Sequence, residues 1–155
     1  MPRGAALRLY GRPSDTQGLD WAWVEDQLKA AGTYWVIART PGHPHPRPVW
    51  GLWKDDHLYL SIGTPVTLRT FALDPVVTVH LDSGTDVVIV EGHAAGPASD
   101  ADVIAAYNQK YDWNYDLGEY GPLQRVDPDA VLAWRAAGWA GRESFQQTGR
   151  WHFPG

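Results

Sequence analysis

Residues 49–62 read VWGLWKDDHLYLSI, and this stretch decides the fold class. VWGLWK (49–54) and HLYLSI (57–62) are rich in branched and aromatic side chains and flank Asp55 and Asp56. A two-residue connection of this kind closes a hairpin, although Asp-Asp is less typical there than Asp-Gly. Upstream, TYWVIART (33–40) reads as a strand, and PGHPHPRP (41–48) reads as a loop because its prolines lack the donors of a ladder. Downstream, Leu68 to Leu73 suggests a short helix ended by Asp74 and Pro75. VVTVHLD (76–82) and DVVIVEGHAA (86–95) around SGT then read as a second hairpin.

The flanks add helices and further strands. Trp21, Val24, Leu28 and Ala31 recur at helical spacing between an N-cap at Asp20 and Gly32 at C′. Ser99 to Asp102 has the S-x-x-D form of a capping box and opens a helix with Val103, Ala106, Tyr107 and Lys110 on one face. LQRV (123–126), AVLAW (130–134) and GRWHF (149–153) supply two or three more strand candidates. Many short strands and few helices predict a mainly β fold, a closed or nearly closed barrel that leaves few exposed edges. We expect an N-terminal arm at 1–18 and one barrel domain over 19–155.

Composition narrows the function. The 155 residues carry a net charge of −5 without a basic stripe, which argues against nucleic acid as a partner. No apolar run is long enough for a leader or a membrane span, so a cytoplasmic location away from membranes is expected. With no Cys, there is no disulfide framework, thiolate metal site or cysteine nucleophile, and redox chemistry would have to come from a cofactor. The nine Trp either fill a core or line a site for a flat ligand.

Few motifs carry chemistry on their own. His43 and His45 lie in a proline-stiffened loop without a partner at ligand spacing, so no metal site is indicated. His80 and His93 fall inside predicted strands, and His80 is the better acid/base candidate of the two. G-x-S-x-G, P-loop and G-x-G-x-x-G elements are absent. Asp55, Asp56, Asp127 and Asp129 read as turn residues rather than paired catalytic carboxylates.

The order TYWVIART, HPRPVWG, LYLSIG, LRTFALDP and VVTVHLDSGTDVVIVEG, with TGRWHF near the end, resembles the FMN-binding split β-barrel family. That family includes pyridoxamine 5′-phosphate oxidases and related deazaflavin-dependent reductases. The resemblance covers roughly residues 19–153. It implies a six- to eight-stranded, Greek-key-like split barrel with short flanking helices. It further implies an oxidoreductase that moves a hydride between FMN, or the deazaflavin coenzyme F-420, and a small organic substrate. In that family the cofactor lies between two subunits of a homodimer, which would bring Trp134 and Arg150-Trp151 from the other chain to close the site. For Trp134 and Trp151, each taken alone, core or dimer packing is the favoured reading.

The same residues admit a physical reading. A tricyclic ring needs a flat apolar slot and backbone donors, and its phosphate tail needs hydroxyls or cations. Val49, Trp50, Gly51, Leu52 and Trp53 could supply slot and donors, or ordinary barrel packing. Ser61, Ile62, Gly63, Thr64, Thr67 and Arg69 line the run to the tail. Where the family carries an Arg-Lys clamp, this chain has Val66 and Thr67. Arg39, Arg47 and Arg150 are the cations that folding would have to bring in. His80 and Tyr107 are the candidates for proton supply. Without the clamp, a barrel that binds a small ligand with no redox cofactor, or catalyses a non-redox reaction, is the second expectation. The aromatic loop 112–122 between Gly hinges would suit a moving cover.

Overall fold

The computed structural model describes residues 2–5, 7–9, 12–13, 18–135 and 147–155. Its strands are β1 (Arg3–Ala5), β2 (Arg8–Leu9), β3 (Arg12–Pro13), β4 (Tyr34–Ala38), β5 (His45–Val49), β6 (Gly51–Lys54), β7 (His57–Leu60), β8 (Val76–His80), β9 (Asp86–Ala98), β10 (Leu123–Arg135) and β11 (Gln147–His152). Four helices accompany them: α1 (Trp21–Ala30), α2 (Pro65–Leu73), α3 (Ala101–Tyr111) and α4 (Leu117–Tyr120). The fold is mainly β, with nine antiparallel strands in one sheet and β2–β3 as a separate ribbon.

The sheet closes on itself. β8 pairs β4, β4 pairs β5, β6 pairs β7, β7 pairs β10, β10 pairs β9 and β9 returns to β8. Only Trp50 separates β5 from β6, so the two form one bent strand and the circuit is a six-membered barrel. The split lies along β10. One of its edges holds β7 over Gln124–Val126 and β11 over Ala130–Arg135. β11 in turn takes β1 from the N-terminal region.

The hairpin at Asp55 and Asp56 forms as expected. Both residues have positive φ, 51° and 61°, the twist that a two-residue turn between right-twisted strands requires. Period-2 alternation then sorts the side chains by layer. Trp53, Leu58 and Leu60 enter the barrel core with Tyr34, Val36, Val77, Val79, Val88, Val90, Val126 and Val131. Leu52 and Tyr59 face outward under α3, where they pack with Val103, Tyr107, Tyr115 and Leu123. α1 buries Trp21, Val24 and Leu28, and the ring of Trp21 meets Trp53, Trp151 and Phe153 at centroid distances of 6.1, 5.4 and 5.5 Å.

Four local readings need correction. Residues 45–48 are strand, not loop, in register with β4 from Ala38↔His45 to Tyr34↔Val49. Pro46 and Pro48 are two apart, so their missing donors fall on the edge that β4 does not use. LQRV and AVLAW are one continuous strand, because bulges at Arg125/Val126 and Pro128/Ala130 absorb the proline. Asp127 and Asp129 therefore lie in a strand, where His57 Nδ1, His93 Nδ1 and the Arg125 guanidinium approach their carboxylates at 2.9–3.1 Å. The N-cap of α3 is Asp100, not Ser99, and its side chain makes no capping bond. Trp139, expected near the C-terminal closure, lies outside the described residues.

Candidate functional site

The bend between β5 and β6 places Trp50 at one end of the barrel, 44% exposed. Its carbonyl accepts a bond from Ser61 N at 2.9 Å, which ties the bend to the end of β7. Trp50 stacks on Tyr111 at 4.6 Å with planes 6° apart, and Trp113 stands against it at 87°. Trp113 is also exposed, and with Tyr111 it makes an open aromatic corner around Trp50 at the C-terminal end of α3.

Three residues past Ser61, Thr64 caps α2. Its side chain makes no capping bond, and Pro65 occupies the first helical position. Helix N-termini leave backbone donors unpaired and carry positive potential. Thr67, in the same turn, is 2% exposed and its hydroxyl has no hydrogen-bond partner. An orphaned buried hydroxyl costs free energy unless a ligand or water meets it. Gly63 is exposed, so the approach to this turn is open.

The structure thus joins Trp50 to Ser61, and Gly63, Thr64 and Thr67 follow on the turn into α2. Other expected site residues have different surroundings. Val49 pairs Tyr34 within the sheet, Leu52 and Ile62 are buried in the two core clusters, and Trp53 is a core ring whose Nε1 donates to Glu25 at 3.3 Å. Gly51 has no room for a side chain, since a Cβ would lie 2.5 Å from Tyr59 O. Its backbone groups are engaged by α3: its N–H donates to the Tyr111 hydroxyl at 2.9 Å, and its carbonyl accepts from Lys110 Nζ at 2.8 Å. Sequence reading did not single out Lys110 or Tyr111 in this role. Their helical spacing places them on α3, but only the tertiary packing of α3 on β6 shows what they hold.

The proton candidates are also separated. Tyr107 is buried beneath the aromatic corner, and burial pushes its phenol up to about 12 despite hydrogen bonding to Ser61. His80 lies across the barrel on β8, stacked on Trp35, with Nδ1 2.9 Å from Leu81 O. Arg69 is exposed on α2. Arg39 is held by Asp74 at the opposite end of α2, at 2.7 and 3.2 Å. Arg47 is exposed on β5 and donates to Pro46 O, and Arg150 on β11 faces Glu91 at 3.5 Å, so neither supplies the clamp charge within one chain. Trp134 is half-buried on β10, opposite Thr148.

The segment 112–122 is pinned. Tyr115 is buried, its N–H donates to Asn108 Oδ1 and its hydroxyl to Gly121 O, and Asp116 caps α4 through Gly118 N and Glu119 N.

Lys110 titrates in an informative range. Burial lowers its ammonium to about 8, against about 10.4 for an ordinary lysine. Between these values the unfolded chain binds more protons than the folded one, so stability rises with pH across that window. The buried phenols act in the opposite direction, because raised folded values lose stability above about pH 10. The urea midpoint is therefore expected to rise between pH 8 and 9.5, and Lys110→Met should flatten that rise. An equal slope in both proteins would contradict the assignment.

No family model and no curated protein matches the sequence. Solved structures do match in fold. A FAD-binding protein from Mesorhizobium loti superposes with TM-score 0.59 at 17% identity, over 87% of this chain and 96% of that one. A protein of Listeria innocua provisionally described as a pyridoxamine 5′-phosphate oxidase gives TM-score 0.56 at 18% identity, over 71% and 97%. An F420 reductase gives 0.56 at 17% identity, over 76% and 98%. Among the described residues, no helix is long and apolar enough to cross a membrane. The closed circuit, the division along β10 and these likenesses agree: the chain has the split β-barrel fold of the pyridoxamine 5′-phosphate oxidase-like proteins.

Proposed function

We propose that this protein binds a flavin-type cofactor, FMN or the deazaflavin coenzyme, and acts on a small organic substrate as an oxidoreductase. The observation that carries the reading is the backbone bond from Ser61 to Trp50, which ties an exposed flat indole to the segment that leads into α2, where the Thr67 hydroxyl is buried and unpartnered. The bound cofactor would supply hydride transfer.

The chain's own residues would bind and orient. Trp50 offers a ring face, held flat by Tyr111 behind it. The backbone donors of the first turn of α2, with the hydroxyls of Thr64 and Thr67, suit a phosphate oxygen, as helix N-termini do generally. A second copy of the chain, docked as a homodimer, would bring Trp134 and Arg150 to the open side and add a cation to the one that Arg69 offers on α2.

The clamp position gives a direct test. Val66→Arg, at an exposed position of that turn, should tighten FMN binding at least tenfold, since a hydrogen bond to a charged group contributes about 1.5–3 kcal/mol. Unchanged affinity would show that phosphate does not bind at α2. The absence of cations at Val66 and Thr67 favours a second reading, a split barrel that binds a small ligand without redox chemistry. Copurified ligand identified by mass spectrometry distinguishes the two.

A further inference from the structure

The rings of the protein fall into two connected groups. One surrounds the buried indoles of Trp21, Trp53 and Trp151, and its ring contacts include no phenol. The other runs from surface to surface. Trp113 meets Trp50 at a centroid distance of 5.9 Å, Trp50 meets Tyr111 at 4.6 Å, and Tyr111 meets Tyr107 at 4.9 Å. Tyr107 then meets Tyr115 at 5.0 Å, and Tyr115 meets Tyr120 at 5.5 Å. Every step is an aromatic contact. Trp113 and Trp50 at one end are 46% and 44% exposed and Tyr120 at the other is 43% exposed, whereas Tyr107 and Tyr115 between them are buried.

Chemistry gives this series a direction. Apart from thiols, indoles and phenols are the side chains that lose a single electron most readily, and the chain has no Cys. At neutral pH a phenol that can pass its proton to water is easier to oxidise than an indole, because the proton leaves with the electron. The interior phenols have no such outlet. The Tyr111 hydroxyl donates to Gly32 O at 3.0 Å and to Gly51 O at 2.9 Å, and the Tyr115 hydroxyl donates to Gly121 O at 2.9 Å. Amide carbonyls accept these bonds without taking the proton. Burial holds the protons further, raising Tyr111 and Tyr115 and pushing Tyr107 up to about 12. Tyr120, at the exposed end, faces water.

We propose that these rings form an electron relay, which moves an oxidising equivalent from the exposed indoles of Trp113 and Trp50 to the phenol of Tyr120. A one-electron oxidant of the radical class takes an electron from an indole, and the indole N–H proton goes to water. An electron then passes through the ring contacts from Tyr120 to the indolyl radical. The Tyr120 proton goes to water, and the indole recovers a proton from water. The oxidant is reduced by one electron, and Tyr120 is left as a phenoxyl radical. The relay is a property of the chain alone and does not rest on the cofactor reading.

The test is pulse radiolysis of the full chain at pH 7 with azide, whose radical oxidises indoles in preference to phenols. We expect the indolyl absorption to give way to phenoxyl absorption in a first-order phase whose rate is independent of protein concentration. Spin trapping with peptide mass spectrometry should then find the radical on Tyr120. Tyr120→Phe should reduce the phenoxyl growth at least fivefold, and so should Trp50→Leu, which removes the ring between Trp113 and Tyr111. Both positions are exposed, so the circular dichroism spectra of the variants should match the parent. Phenoxyl growth that is absent in the parent, that scales with protein concentration, or that persists undiminished in either variant would overturn the proposal.

Discussion

Trp21→Ala is expected to destabilise the protein by about 3–5 kcal/mol, the usual range for truncating a large buried aromatic. The indole is 9% exposed and is where α1, β6 and β11 meet. Its rings contact Trp53, Trp151 and Phe153 edge-on or tilted, so alanine leaves a cavity bordered by three rigid groups that cannot collapse into it. Trp151 is itself confined, since a Cβ on Gly149 would lie 2.2 Å from its ring. The urea midpoint of the variant should fall well below the parent with an unchanged slope. A loss under about 1 kcal/mol would mean that α1 is not part of the core.

Gly92→Ala is expected to be the most damaging change that adds a single carbon. A Cβ at this position would lie 2.3 Å from Asp127 O and 3.1 Å from Asp127 C, both backbone atoms of the neighbouring strand. No rotamer relieves that contact, so β9 and β10 would have to separate where β9 also pairs β8. Overpacking of a rigid interior costs about 1–3 kcal/mol, and a backbone obstacle in the longest ladder puts this case at or above the upper end. Gly42→Ala is the control, because nothing lies within 4 Å of its added Cβ. Equal midpoints for the two variants would contradict the close approach of β9 and β10.

Much of the barrel is legible in the sequence because its elements are local. The hairpin 49–62 needs only alternation and two residues tolerant of positive φ, and α1 needs only its apolar spacing. What is not legible is non-local. Prolines 46 and 48 argue against a strand unless it is known that β5 has a free edge, and Pro128 argues for a break unless the bulge is known. At the site, the exposed Trp50 and the hydroxyl run Ser61, Thr64 and Thr67 could be read from residue type and order. The engagement of Gly51 by Lys110 and Tyr111, some 60 residues away, could not.

The proposed seat of a flavin-type cofactor is the end of the barrel at Trp50 and α2. Equilibrium titration of the purified chain with FMN and with the deazaflavin coenzyme, read by ligand fluorescence, tests it most directly. We predict saturable one-to-one binding of at least one of the two in the micromolar range, weakened at least tenfold in Trp50→Ala. Binding of neither below millimolar concentration, or equal affinity in the parent and Trp50→Ala, would contradict it.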